Sequence, residues 1–121
     1  MNLHTAPTTD DRFYRGSDYT FRLKVYDEDE NVFDLTGCKA YLRFGASWTD
    51  DYSIFEIEGD IVGDPSEGLL RFAFKPRHTS QLRAGSYDYT ITIKSEQGQV
   101  WPVRTSRLGI IGTNREVENN G

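Results

Sequence analysis

From Thr20 to Tyr26 the chain alternates: Phe21, Leu23 and Val25 are apolar, with Arg22, Lys24 and Tyr26 set against them. A period of two is the pattern of a strand with one buried face. It returns at Ala40, Leu42 and Phe44, which alternate with Tyr41 and Arg43. It returns again over Ser53 to Glu58, where Ile54 faces opposite to Phe55 and Ile57. Leu70, Phe72 and Phe74 define one face of a further strand, and Tyr87, Tyr89, Ile91 and Ile93 one face of the next. A last long strand is predicted from Val100 to about Ile111. Pro102 inside it has no N–H to give to a ladder, which predicts an edge position or a bulge there.

Turn chemistry separates these stretches: Arg15-Gly16-Ser17-Asp18, the acidic tip Asp27 to Asn31, Asp34-Leu35-Thr36-Gly37, Gly59 to Gly68 and Glu96-Gln97-Gly98. Pro76 to Leu82 is read as the helical piece, one turn starting near Thr79 and placing Leu82 against the core. About seven antiparallel strands at this spacing predict an all-β, immunoglobulin-like sandwich. The domain is placed at 13–112, with an extended, flexible N-terminal arm at 1–12 and a polar, flexible C-terminal tail at 113–121.

Leu82, Gly85 and Tyr87, opening the strand that continues Thr90-Ile91-Thr92-Ile93, resemble the tyrosine corner of such sandwiches. There the tyrosine hydroxyl folds back onto the backbone just upstream while its ring fills the end of the core. The role implied for these three residues is structural.

Composition sharpens the class more than the chemistry. Charged residues make up 27% of the 121 residues and aromatics 13%, which fits a folded chain rather than a disordered one. The net charge of -5 argues against nucleic acid as a partner, since phosphate binding needs clustered Lys and Arg. Arg77 with Arg83, or Arg104 with Arg107, are the small basic spots on offer. Cys38 is the single cysteine, so no intramolecular disulfide is available. Met1 to Thr5 lacks the character of a signal peptide, and no apolar run approaches the roughly 20 residues of a membrane helix. Synthesis and folding in the cytoplasm, with no membrane partner, are the expectation.

Catalytic and metal chemistry find little footing. The tip Asp27-Glu28-Asp29-Glu30-Asn31 opens like a calcium loop, but Val32 and Cys38 stand where Gly and Glu are needed. Glu56 and Glu58 share a strand face, as paired glycosidase carboxylates could, and equally as an ordinary solvated row does. His4 and His78 have no ligand-spaced partners, and Cys38 has no histidine at motif spacing. No cofactor, no metal and no catalytic residue is expected, and the chain is read as no enzyme. Trp48, in a polar loop with Asp50, Asp51 and Tyr52, is the candidate interface. Trp101 is read first as packing.

With the strands in place, a longer pattern is visible. Tyr14-Arg15-Gly16-Ser17-Asp18-Tyr19, Phe21 to Asp27, Asp34-Leu35-Thr36-Gly37-Cys38, His78-Thr79-Ser80-Gln81-Leu82 and Gly85-Ser86-Tyr87-Asp88-Tyr89 follow one another in order. Together these resemble the immunoglobulin-like domain of tailed-phage upper-baseplate, tail and neck structural proteins, over roughly Phe13 to Ile111. The turn at Gly16-Ser17 departs from the usual acidic residue after Gly. The resemblance implies a virion component, made in the host cytoplasm, that docks on other virion proteins in symmetric multiple copies. The chain length is read as that of an adaptor, a tail, baseplate or neck accessory protein, or a capsid decoration protein. The alternatives are a carbohydrate- or host-surface-binding sandwich using Trp48 and nearby tyrosines, and a cellular adhesion or secretion-associated domain.

Overall fold

The computed structural model describes residues 2–6, 12–45 and 52–112. The chain forms strands β1 (His4–Thr5), β2 (Arg12–Tyr14), β3 (Tyr19–Tyr26), β4 (Lys39–Phe44), β5 (Phe55–Glu58), β6 (Asp60–Ile61) and β7 (Leu69–Phe74). A one-turn helix α1 (Pro76–Thr79) follows, then β8 (Gly85–Lys94) and β9 (Val100–Ile111). They make two sheets, in the order β1-β3-β7-β6 and β2-β9-β8-β4-β5. This is an immunoglobulin-like sandwich, with a short extra strand at each edge of the larger sheet, β2 and β5.

The register aligns the apolar faces. Phe21 lies opposite Phe72 and Leu23 opposite Leu70, while Leu42 is flanked by Ile91 and Ile57. The inner faces of both sheets therefore meet in one core, in which Val25, Leu42, Phe44, Phe72, Ile91 and Ile93 are fully buried. Each such side chain contributes about 1.5–3 kcal/mol by leaving water. Leu35, also fully buried, plugs the core from the β3–β4 connection.

Several expectations are corrected. Nine strands rather than about seven lie in the described residues, and one pairing, β2 with β9, is parallel. The additional strands are two- and three-residue pieces, too short for alternation to reveal. At its described residues, the stretch expected as a flexible arm is part of the sandwich. His4 and Thr5 pair with Tyr26 and Val25, Leu3 is buried, and Arg12 opens β2. A tertiary bond reaches it there: Arg104, whose Nε donates to Tyr89 Oη at 2.8 Å, also donates from Nη1 to Thr5 Oγ1 at 3.4 Å. The tail expected at 113–121 lies outside the described residues. The helical turn ends at Thr79 instead of starting near it, because Pro76 takes the first helical position with its φ already fixed.

Pro102 has both an edge position and a bulge. Ile91 faces Arg104 and Thr92 faces Pro102, so Val103 is left without a partner in the register. β2 covers β9 only at Gly109–Ile111, so among the described residues no strand pairs with that side of β9 at Pro102.

The chain passes from the larger sheet to the smaller between β5 and β6 through Gly59 alone. A Cβ at Gly59 would lie 2.7 Å from Cε1 of Phe72, a ring enclosed by the core. Gly59→Ala is therefore expected to cost about 1–3 kcal/mol through overpacking. Urea unfolding would measure this, and a loss below about 0.5 kcal/mol, the ordinary scatter of neutral surface changes, would show that the crossing yields.

Candidate functional site

One end of the sandwich is built by three distant segments. Arg15 donates its N–H to Ile111 O at 2.8 Å and a guanidinium N–H to Leu82 O at 2.7 Å. Gly16 N–H donates to Thr79 Oγ1 at 2.8 Å, and Thr79 is fully buried. Four residues beyond Arg83, Tyr87 donates its hydroxyl to the Arg83 carbonyl at 2.6 Å. Leu82 and the Tyr87 ring pack against the core, and Gly85 takes φ +152 at the start of β8.

Aromatic rings fill the space beneath. Phe13 and Tyr19 stack at 4.5 Å, Phe44 and Phe55 at 4.7 Å, and Phe44 meets Tyr87 at 5.3 Å. His78 stacks on Phe55 at 5.0 Å, and its Nδ1 accepts the Lys75 N–H at 2.8 Å. Burial, and then the charges of Arg77 and Lys75, hold the His78 imidazole below its ordinary value of 6.5. It is the neutral form that accepts this bond.

The opposite end is made of carboxylate-capped turns. Asp27 Oδ1 accepts N–H bonds from Asp29 and Asn31. Asp34 accepts from the Thr36 hydroxyl at 2.6 Å and its N–H at 2.9 Å, which lowers its pKa, and Asp64 is lowered likewise by the N–H and hydroxyl of Ser66. Gly68 has φ +68, and a Cβ there would lie 2.9 Å from Phe33 O and 3.1 Å from Val25 O. Glycine is thus required where this turn passes under the β3–β4 connection.

Large apolar side chains remain exposed at the strand ends. Tyr14 (55% exposed), Tyr52 (83%) and Ile54 (51%) belong to the Tyr87 end, and Val32 (37%) and Val100 (46%) to the carboxylate end. Of the sequence-predicted interface, Tyr52 is thus strongly exposed, while Trp48, Asp50 and Asp51 lie outside the described residues. Leu82, Gly85 and Tyr87 are brought together at the β7–β8 connection. Tyr14, Val32 and Val100 were missed because alternation alone does not tell a buried apolar residue from an exposed one at a strand end. Ile54 carried a usable signal, its phase opposite to that of Phe55 and Ile57.

The geometry offers little to catalysis. Glu56 and Glu58 face Arg43 and Tyr41 across the β4–β5 ladder on an edge strand. Burial, then Asp34 and Glu96, raises the Cys38 thiol above its ordinary value, so the nucleophilic thiolate is scarcer there. No group of three or more His, Cys, Asp or Glu converges as a metal site among the described residues. Arg104 and Arg107 form no shared basic spot: Arg104 reaches across to β1, while Arg107 pairs with Asp88 at 3.1 Å. Trp101 packs against the core edge-on to Phe33 at 5.6 Å. A concavity of about 240 Å³, lined by Gly37, Lys39, Tyr41, Lys94, Ser95 and Glu96, is smaller than common small-molecule sites.

The model of one protein family, described as the BppU N-terminal domain, matches residues 10–103. Solved structures share the architecture. The crystal structure of the Lin-41 filamin domain is 15% identical with a TM-score of 0.50, and the match covers 91% of this chain and 92% of that one. The GspB Siglec domain is 18% identical with a TM-score of 0.55, covering 93% of this chain and 59% of that one. At such identities the likeness is one of fold. No curated protein matches the chain.

Two outcomes follow from the Tyr87 end. Tyr87→Phe keeps the ring and removes the bond to Arg83, so unfolding free energy should drop by about 1 kcal/mol with the fold retained; no drop would mean that water replaces the bond without cost. His78 binds a proton less readily folded than unfolded, so stability should rise with pH through the region just below its ordinary value. His78→Gln keeps an acceptor but does not titrate. The stability advantage of the wild type over this variant should therefore shrink between about pH 7.5 and about pH 5. Thermal melting at both values decides it, and a constant difference would exclude the role given to His78.

Proposed function

The chain belongs to the BppU N-terminal domain family, the N-terminal domain of phage baseplate upper proteins, and from that membership we propose that it works as a non-enzymatic docking module. As a phage structural domain it is a virion component and associates with other virion proteins. The finer reading is that it acts as an adaptor or accessory element, present in several copies. Docking runs through the Tyr87 end, where Tyr14, Tyr52 and Ile54 stand exposed on a rigid frame.

The observation that carries this reading is the pairing of exposed apolar side chains with a locked support. Contact surfaces gain most from aromatic and aliphatic groups held in place before binding, because little entropy is then lost on association. The bonds from Arg15 and Gly16 to Leu82 and Thr79 supply that support, and none of the three exposed side chains takes part in it. The family match spans both partners of this clamp.

The test is incorporation into particles. Tyr52→Ser with Ile54→Ser should reduce the amount of this protein in purified virions several-fold while leaving its melting temperature near that of the wild type. Arg22→Ala, on the outer face of the smaller sheet, serves as the control and should leave incorporation unchanged. Normal incorporation of the double variant would overturn docking through this end.

A further inference from the structure

The two ends of the sandwich differ in charge as sharply as they differ in construction. At the end away from Tyr87, the β3–β4 connection carries the run Asp27–Glu30 and Asp34, the β6–β7 connection Asp64 and Glu67, and the β8–β9 connection Glu96. None of these three connections contains a Lys or Arg. Among the described residues at the Tyr87 end, the β2–β3 and β7–β8 connections carry Arg15, Lys75, Arg77 and Arg83 against the single acid Asp18. Lys75 and Asp18 stand 3.9 Å apart and are both well exposed, so they screen one another only weakly.

A second, independent observation follows the same axis. Among the described residues, the large apolar side chains left exposed lie at or beside strand ends: Val32 and Val100 at the acidic end, Tyr14, Tyr52 and Ile54 at the basic one. Each end thus combines apolar contact groups with surroundings in which one sign predominates: Lys39 and Lys94 border the acidic end against its eight acids, and the basic end carries Asp18, with Asp50 and Asp51 in the β4–β5 sequence, against its four bases. That is the anatomy of a contact surface with a charged rim.

We propose that the domain associates end to end with a second copy of this chain, the acidic end of one copy seated on the basic end of the next. Contact between like ends would set carboxylates against carboxylates or guanidinium groups against one another, which opposes a two-fold arrangement. Contact between unlike ends is heterologous, so it propagates into a row or closes into a ring according to the rotation at each step. This goes beyond the docking reading, which concerns other virion proteins, and rests on it only in taking the Tyr87 end as a contact surface.

The experiment uses the purified chain alone. Sedimentation velocity at rising protein concentration should show reversible self-association, weakened at least about tenfold between about 50 mM and about 500 mM salt. Arg77→Glu with Arg83→Glu makes both ends acidic, and Glu28→Lys, Asp29→Lys, Glu67→Lys and Glu96→Lys together, next to Lys39 and Lys94, make the second end basic as well. Each variant should remain folded by circular dichroism and monomeric by itself. An equimolar mixture of the two should associate again, because unlike ends are then present on different molecules. A wild-type chain that stays monomeric throughout, or a mixture that stays monomeric while the wild type associates, would overturn the inference. Neither result bears on incorporation into particles, which tests the docking reading separately.

Discussion

A β-sandwich has to close its ends without leaving backbone polar groups dry, and here one closure joins residues 63 and 67 positions apart. The Gly16 N–H and the Leu82 carbonyl lie in connections, where no ladder can satisfy them. Thr79 and the Arg15 guanidinium supply the missing partners. Because Thr79 is fully buried, its hydroxyl would be costly without that bond, so turn and helix need one another. The bond from Tyr87 to Arg83 then fixes the chain between helix and β8. The stack of Phe13 on Tyr19 and the packing of Phe44 against Tyr87 and Phe55 lie between these polar ties. The aromatic pile is ordered because its lid is.

The long sides obey a different constraint, the need to keep sheet edges from pairing at random. The smaller sheet ends in the two-residue strands β1 and β6, and the larger in the three-residue β2 and the four-residue β5. Where β9 extends past β2, Pro102 removes a donor and the unpaired Val103 twists the strand. Arg104 uses the same edge differently. Its guanidinium satisfies the buried hydroxyl of Tyr89 and reaches β1 in the other sheet, so one side chain pins both layers.

Much of this is legible in the sequence, and the parts that are not have a common cause. The faces of β3, β4, β7 and β8 follow from alternation, because each is long enough to show its period. Tyr87 is found through its local setting, since the bond it makes is to a residue only four positions away. The clamp is not legible as a contact: Arg15-Gly16 and Thr79-Ser80-Gln81-Leu82 can each be picked out, but nothing local says that they touch. The same holds for β1. His4 and Thr5 show no period, and what places them is Tyr26, Val25 and Arg104, all distant in the chain. Of the expected interface only Tyr52 falls within the described residues, and the other exposed apolar groups except Ile54, whose phase already set it apart, needed the fold to distinguish them from the core.

Charge shows how a fold can create what composition hides. Along the chain, bases and acids are interspersed, and a net charge of -5 suggests a uniformly acidic surface. Strands and turns then sort them. Asp is disfavoured in strands and caps turns well, so Asp27, Asp34 and Asp64 collect in connections where they accept N–H bonds. Long basic side chains such as Arg22, Arg43 and Arg107 tolerate the solvent faces of the sheets. Turn chemistry accounts for those three aspartates at the acidic end but not for its whole charge. The side chains of Glu28, Asp29, Glu67 and Glu96 make no hydrogen bond within the described residues, so the turns do not need them. Their mutual repulsion opposes folding slightly, and nothing in the turns repays it. A cost of that kind is offset when a cationic surface comes to face these groups, which makes them the part of the acidic end best explained by contact.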